Sequence, residues 1–249
     1  MKTKMILLTA AFGLTSALAL GQTTIFEENF GTFANGTSLS TSNTDLTYVR
    51  VGTQGGSIEA FNPSSFGSGA SALITGPTGG SLNGLGVDNS LDFQGLDEIS
   101  FALDFRISDS SGQIVFGLGD GNSFTSNLAF NTSQGLFWFQ ANGLDFQRRT
   151  SSSWESMTTL SLDTNYSLLI EANTTTNLMS ISLNGSSIAS DVAVTTSGID
   201  PTGFRVYSVN GSNVELDNIS ITAIPEPGTL ALVALTGVAA IVTLRRKRA

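Results

Sequence analysis

From residue 99 to residue 107 the apolar side chains fall on every second position. Ile99, Phe101, Leu103, Phe105 and Ile107 share one parity, and Ser100, Ala102, Asp104 and Arg106 share the other. A period of two places the first set on one face of an extended strand and leaves the second face wet. A helix would scatter the same residues around its circumference. The segment therefore predicts a sheet with one buried side. Shorter runs rich in β-branched and aromatic residues recur at Thr47–Val51, 113–118, 136–141, 166–172, Leu178–Leu183, 204–209 and 214–222. Asn142-Gly143 and Asn184-Gly185 each follow such a run and signal tight hairpins. No amphipathic helix stands out between residues 22 and 223.

Composition supports the same reading. Gly is frequent at 27 residues and charged residues make up only 12%. Surface helices usually carry many Lys, Glu and Arg, so this mix favours strands and turns. About twelve to fourteen short strands with turn punctuation predict an all-β fold, a two-sheet antiparallel sandwich. Residues 31–45 and 61–81 are rich in Gly, Ser, Thr and Asn and read as long surface loops. With no internal repeat and no clean break, residues 22–223 read as one domain. Cysteine is absent, so no disulfide framework supports it.

Charge is distributed unevenly. Lys2 and Lys4 stand at the start, and Arg245, Arg246, Lys247 and Arg248 at the end. The body holds only Arg50, Arg106, Arg148, Arg149 and Arg205 against nineteen acids, about −14 in all. Such a surface repels phosphates, which excludes nucleic acid as a partner.

The residue inventory argues against catalysis. Without His or Cys there is no Ser-His-Asp triad, thiol nucleophile or His- or Cys-ligated zinc. The body has no Lys for a Schiff base. Paired carboxylates remain, as glycoside hydrolysis requires. Glu215-Leu216-Asp217 resembles the opening of the Glu-x-Asp-x-x-Glu strand of laminarinase-like hydrolases, but Ser220 occupies the place of the second Glu. These acids read instead as the solvated face of the last strand, and no residue is assigned a catalytic role.

Binding candidates are few. Trp138 faces away from Phe137 and Phe139, and Trp154 lies in a Ser-rich stretch read as a loop. Each offers a flat ring for stacking on a sugar, although burial in the core is the more common role of such rings. Asp120-Gly121-Asn122 offers oxygen ligands in a turn. Calcium needs six or more oxygens from several loops, so Asp120 and Asn122 are weak calcium candidates, and an ion-free Asx turn is the simpler reading.

The two ends read as addresses. Residues 1–21 have a basic start, an apolar run and small residues at Ala17, Ala19 and Gly21, as a secretory signal peptide does. Cleavage after Gly21 starts the mature chain at Gln22; cleavage after Ala19 and an uncleaved anchor are the alternatives. At the other end stand Pro225, Glu226 and Pro227, an uncharged stretch at 228–244, and the basic residues of 245–249. Seventeen helical residues span roughly 26 Å, enough for a bilayer core. The basic tail then stops transfer on the cytoplasmic side. The two prolines keep the segment before the span extended and open to an enzyme. The alternative is a plain single-pass anchor.

This order over residues 224–249 resembles the PEP-CTERM sorting signal of Gram-negative bacteria. The resemblance implies an inner-membrane precursor, processed near Pro225, Glu226 and Pro227 by an exosortase-type transpeptidase. It also implies an association with exopolysaccharide and biofilm. The body resembles concanavalin-like jelly rolls, including laminin-G-type domains. That likeness rests on the opening run 25–30, the hairpin at Asn184-Gly185 and the closing run 214–221, and it implies a fold rather than an activity. The resulting expectation is a structural or adhesive protein of the surface or matrix. A carbohydrate-binding module is the alternative, and a glycosidase the least favoured.

Overall fold

The computed structural model describes residues 22–31, 33–39, 47–51, 55–67, 69–77, 82–87, 90–93, 96–120 and 135–224. The expected signal peptide, Pro-Glu-Pro motif, membrane span and basic tail lie outside these residues, as does Asn122. Among the described residues no helix is long and apolar enough to cross a membrane.

The described residues form two sheets, and every strand pairing is antiparallel. The first sheet runs β13 (Ser186–Ala193), β12 (Leu178–Leu183), β11 (Asn165–Asn173), β6 (Glu98–Asp109), β15 (Asn213–Ile224), β4 (Ser71–Thr75) and β3 (Ser57–Phe61). A further strand, β1 (Thr23–Glu28), pairs with the C-terminal half of β15. The second sheet runs β10 (Trp154–Thr159), β9 (Asp145–Arg149), β8 (Gly135–Asn142), β7 (Gln113–Gly119), β14 (Gly203–Val209), β5 (Leu82–Val87) and β2 (Thr47–Val51).

The alternation at 99–107 works as expected. Ile99, Phe101, Leu103, Phe105 and Ile107 are buried, while the intervening residues are partly exposed. Their partners come from the opposite sheet. Phe105 lies 6.1 Å from Phe116 and 6.4 Å from Phe146, and Phe101 lies 5.8 Å from Phe137. Phe139 continues the cluster at 5.7 Å from Phe116. Rings at these separations gain from packing geometry as well as from area removed from water. The inner faces of the two sheets thus interdigitate into one core.

Both hairpin signals hold. Asn184 and Gly185 have φ of 51° and 73°, the pair of positive values that a type I′ turn requires. In the other hairpin Asn142 ends β8 and the turn is Gly143-Leu144, with Gly143 at φ 62°. A glycine in the first central position matches a type II′ turn.

Two expectations need correction. The stretch 61–81 is not all loop, because it contains β4, whose Ala72 and Ile74 are fully buried. Three apolar residues between glycines and serines are too few to show a period, and the pairing partners that fix them, Ile58 on β3 and Val214 on β15, are distant in sequence. Trp154 does not lie in a loop; it begins the edge strand β10.

Glycines on the second sheet make room for large neighbours. A Cβ at Gly117 would stand 2.2 Å from Trp138 Cε3 and 2.6 Å from the Phe137 carbonyl oxygen. The Phe137 oxygen is backbone and cannot retreat without moving β8, and the buried Trp138 ring has little room to turn. Gly117→Ala is expected to lower stability by about 1–3 kcal/mol, the usual cost of overpacking, measured as a shift in urea midpoint at unchanged slope. A neutral result would mean that Trp138 is loosely seated.

Candidate functional site

The outer face of the second sheet gathers the side chains best suited to recognition. Strand parity puts Leu82, Val115, Trp138 and Tyr207 there as a second apolar cluster, separate from the main core. In register, Arg205 lies between Gly86 and Gly117, and Tyr207 between Gly84 and Val115. Trp138 lies across from Gly117 and over Gly135. Missing Cβ atoms beside Arg205 on both neighbouring strands, and beside Tyr207 and Trp138 on one, let these large side chains lie down on the sheet.

The consequence for Trp138 is burial. It is 3% exposed, the burial that the sequence favoured for such a ring, so the alternative of an open face for a sugar is not available at Trp138. Arg205 is 1% exposed. Burial also pushes the Tyr207 hydroxyl well above the usual phenol range, with the Arg205 charge opposing part of that shift.

Trp154 is different. It is half-buried, packs against the same cluster, and pairs directly with Arg149 across β9 and β10. The Arg149 guanidinium carbon lies 5.5 Å from the centre of the indole, a cation–π contact. The structure therefore brings both tryptophans to one face, with Trp154 at its edge.

Thr195 holds this edge to the neighbouring strand. The β8–β9 ladder ends at Phe139 and Arg148. One step further, the Trp138 amide donates to Thr195 Oγ1 at 3.3 Å, and that hydroxyl donates to the Arg149 carbonyl at 2.9 Å. A single hydroxyl thus satisfies two buried backbone groups that the ladder no longer joins. Nothing local in the sequence marked Thr195, because its partners lie 46 and 57 residues away.

A polar chain continues across the face. Gln140 donates to Gln147, and Gln147 donates to Asp145. The Ser156 hydroxyl also donates to Asp145, and these donors hold its carboxyl below the usual range.

Glu215 and Asp217 sit on the outer side of the first sheet and overturn a further expectation. They are not solvated: their exposures are 3% and 6%. Glu215 Oε1 accepts from the Ser65 amide at 2.7 Å and the Ser71 hydroxyl at 2.5 Å, and Oε2 lies 3.8 Å from Arg106. Asp217 accepts from Ser64 Oγ at 3.2 Å and from the Asn218 amide at 2.8 Å. The pair fastens the segment from Ser64 to Phe66 over β15.

Among the described residues no group of three or more acids is placed to hold a metal ion. Asp120 follows β7 and is half-buried, and calcium at Asp120 and Asn122 remains an expectation from the sequence alone. A cleft of about 370 Å³ opens at one end of the first sheet, with Glu98, Glu171 and Asp191 in its lining. Its acids give it no complement to an anionic ligand.

Burial pushes the Asp217 carboxyl above the usual range, and the charges of Asp104 and Glu215 act in the same direction. A raised folded-state value means that Asp217 favours the folded state most below its unfolded value, and that this contribution is lost as pH rises through the folded value. Asp217→Asn removes the titration. The stability difference, wild type minus variant, is expected to decline as pH is raised from the acid range toward neutrality in chemical denaturation. A difference that grows with pH would overturn this assignment.

Residues 223–248 match the PEP-CTERM protein-sorting motif. No curated protein matches the chain closely enough to count as a relative. Among solved structures, a sialidase superposes with a TM-score of 0.59 at 7% identity, covering 81% of this chain and 18% of that one. The chain thus spans under a fifth of the sialidase. The cellulose-induced protein Cip1 gives 0.55 at 13% identity, with 76% and 96% covered. The Emp47p carbohydrate recognition domain gives 0.51 at 11%, with 82% and 97% covered. At these identities the likeness shows the fold, a lectin-like β-sandwich of concanavalin-like type.

Proposed function

We propose that this chain is an exported protein sorted by an exosortase-type transpeptidase to the cell surface or extracellular matrix. There its sandwich serves as a non-enzymatic structural or adhesive component in contact with exopolysaccharide, as in a biofilm. The observation that carries this reading is the sorting motif at 223–248, attached without a spacer to the last strand of the sandwich, which ends at Ile224.

The junction fits a tethered precursor. Three residues separate Ile224 from the uncharged stretch at 228–244, a span of about 14 Å from residue 224 to residue 228 when extended. The domain stays close to the inner membrane until the tail is removed. The signal peptide read at residues 1–21 suits the same geometry, because β1 begins at Thr23 and Thr23 pairs with Ala223. Both ends of the mature domain leave the sandwich side by side.

Several features support a role without catalysis. The sequence has no His or Cys, and Glu215 and Asp217 are committed to the Ser64–Phe66 segment. The glycan contact is a second reading. The Emp47p neighbour is a carbohydrate recognition domain, and Trp154 beside Arg149 supplies an aromatic and a cationic group at a sheet edge.

The test of sorting is the intact mass and location of the protein in a host with the processing enzyme, compared with a variant carrying Pro225→Ala, Glu226→Ala and Pro227→Ala. The wild type is expected to lose its tail and leave the inner membrane, while the variant stays. If both keep the whole tail, the segment is an anchor only. For the glycan contact, Trp154→Ala is expected to weaken binding to a responsive polysaccharide on an array at least about tenfold, or ~1.4 kcal/mol. Unchanged binding would place the contact elsewhere.

A further inference from the structure

The matched sorting segment begins at Ala223, yet Ala223 is fully buried and inside the sheet. Backbone pairing explains how far that protection extends. On one side β15 pairs with β6 through to Ile224 opposite Glu98. On the other, β1 pairs Thr23 with Ala223, Thr24 with Thr222, Phe26 with Ile221, Glu27 with Ser220 and Glu28 with Ile219. Gln22 adds a side-chain bond to Thr222 Oγ1 at 2.7 Å. With β1 in place, the C-terminal half of β15 is an interior strand. Without it, the same half is a free edge, and a free edge accepts an extended chain or presents itself to an enzyme that binds one.

The hold of β1 is modest. Much of the strand is exposed, and its main apolar anchor is Phe26, 5.1 Å from the Phe204 ring. Beyond Ile224 stands Pro225, which has no amide to donate and does not continue a ladder.

We infer that β1 is a guard strand: by covering the edge of β15 it closes residues 219–224 to processing and confines cleavage to the C-terminal side of Ile224. The released product then keeps every strand of the sandwich. An enzyme that cut within 219–223 would remove the partner of β1 and half the partner of β6, opening the core at Ile219 and Ile221. The inference rests on the sorting reading only for the identity of the enzyme; the protection itself is a property of the fold.

A broad-specificity protease tests the guard role without the sorting enzyme. Full-length protein in detergent micelles is digested briefly, and the first C-terminal ends are mapped by intact mass. The wild type is expected to give ends at or beyond Ile224. Phe26→Ala is expected to add ends within 219–223 at a rate at least about tenfold higher, since cleavage follows the population of the opened form. Phe26→Leu should fall between them and covers the case in which the alanine variant does not fold. Ile58→Ala, on the far edge strand β3, controls for general loosening and should leave the ends unchanged. Tryptophan fluorescence reports whether each variant is folded. Early wild-type ends within 219–223, or the same new ends from Ile58→Ala, would overturn the inference. If the tail stays intact in the host, the sorting reading fails, while this digestion still decides the guard role.

Discussion

The pairing of β15 with β6 is the constraint on which the rest of the structure depends. Both strands are twelve residues long, and they stand at the middle of the first sheet. β15 also carries β4 along its first half and β1 along its second. Its register is not uniform: between Asp217 and Ser220 two residues, Asn218 and Ile219, oppose one on β6, Leu103, and Asn218 takes a left-handed φ of 49°. One extra residue shifts the parity. Val214 and Leu216 face the core before the bulge, and Ile219, Ile221 and Ala223 face it after. Without the extra residue the second half of the strand would present Asn218, Ser220 and Thr222 to the phenylalanines of the opposite sheet.

The same bulge accounts for the buried acids. Before it, Glu215 and Asp217 point away from the core, where a strand in a sheet of this kind is normally wet. Here the segment from Ser64 to Phe66 crosses over them: the Ser65 amide donates to Glu215 and the Ser64 hydroxyl to Asp217. A buried carboxylate is tolerable when hydrogen bonds favour its charged form and costly when they are removed. Glu215 accepts from Ser65 and Ser71 and has Arg106 nearby. Asp217 also has two donors, Ser64 and Asn218, but burial prevails there, aided by two acidic neighbours, and pushes its carboxyl above the usual range. Two carboxylates two residues apart on one strand have thus been given different environments by one short loop.

Legibility in the sequence followed the range of the interactions. The strand at 99–107 and the hairpin at Asn184-Gly185 are set by neighbours in the chain, and both were readable from spacing and turn chemistry. The strand β4 was not, because its pairing comes from β3 and β15 and its own five residues hold too little pattern. The opposite parity of Trp138 and its phenylalanine neighbours was correct and its burial was the favoured reading, but burial in a second cluster on the outer face was not foreseeable. That burial goes with a bed of glycines contributed by β7 and β8, and with Leu82, Val115 and Tyr207 from three strands. The acids of β15 failed for the same reason: alternation reports which face a side chain takes, and says nothing about whether a loop from 150 residues away covers that face.

The end of the sandwich and the start of the tail meet at a chemical boundary rather than at a linker. Ile224 still pairs with Glu98, and the next residue is a proline. A flexible spacer would make the tail accessible but would also leave the edge of the last strand free to fray. Here the change from a ladder residue to one without an amide falls between two adjacent positions. The N-terminal strand completes the arrangement from the other side. It enters the sheet opposite the last residues to be protected, and its main apolar contact, Phe26 with Phe204, reaches across to the second sheet. The packing of the two sheets and the protection of the C-terminal strand therefore share one aromatic contact, which links the stability of the core to the integrity of the end that carries the sorting motif.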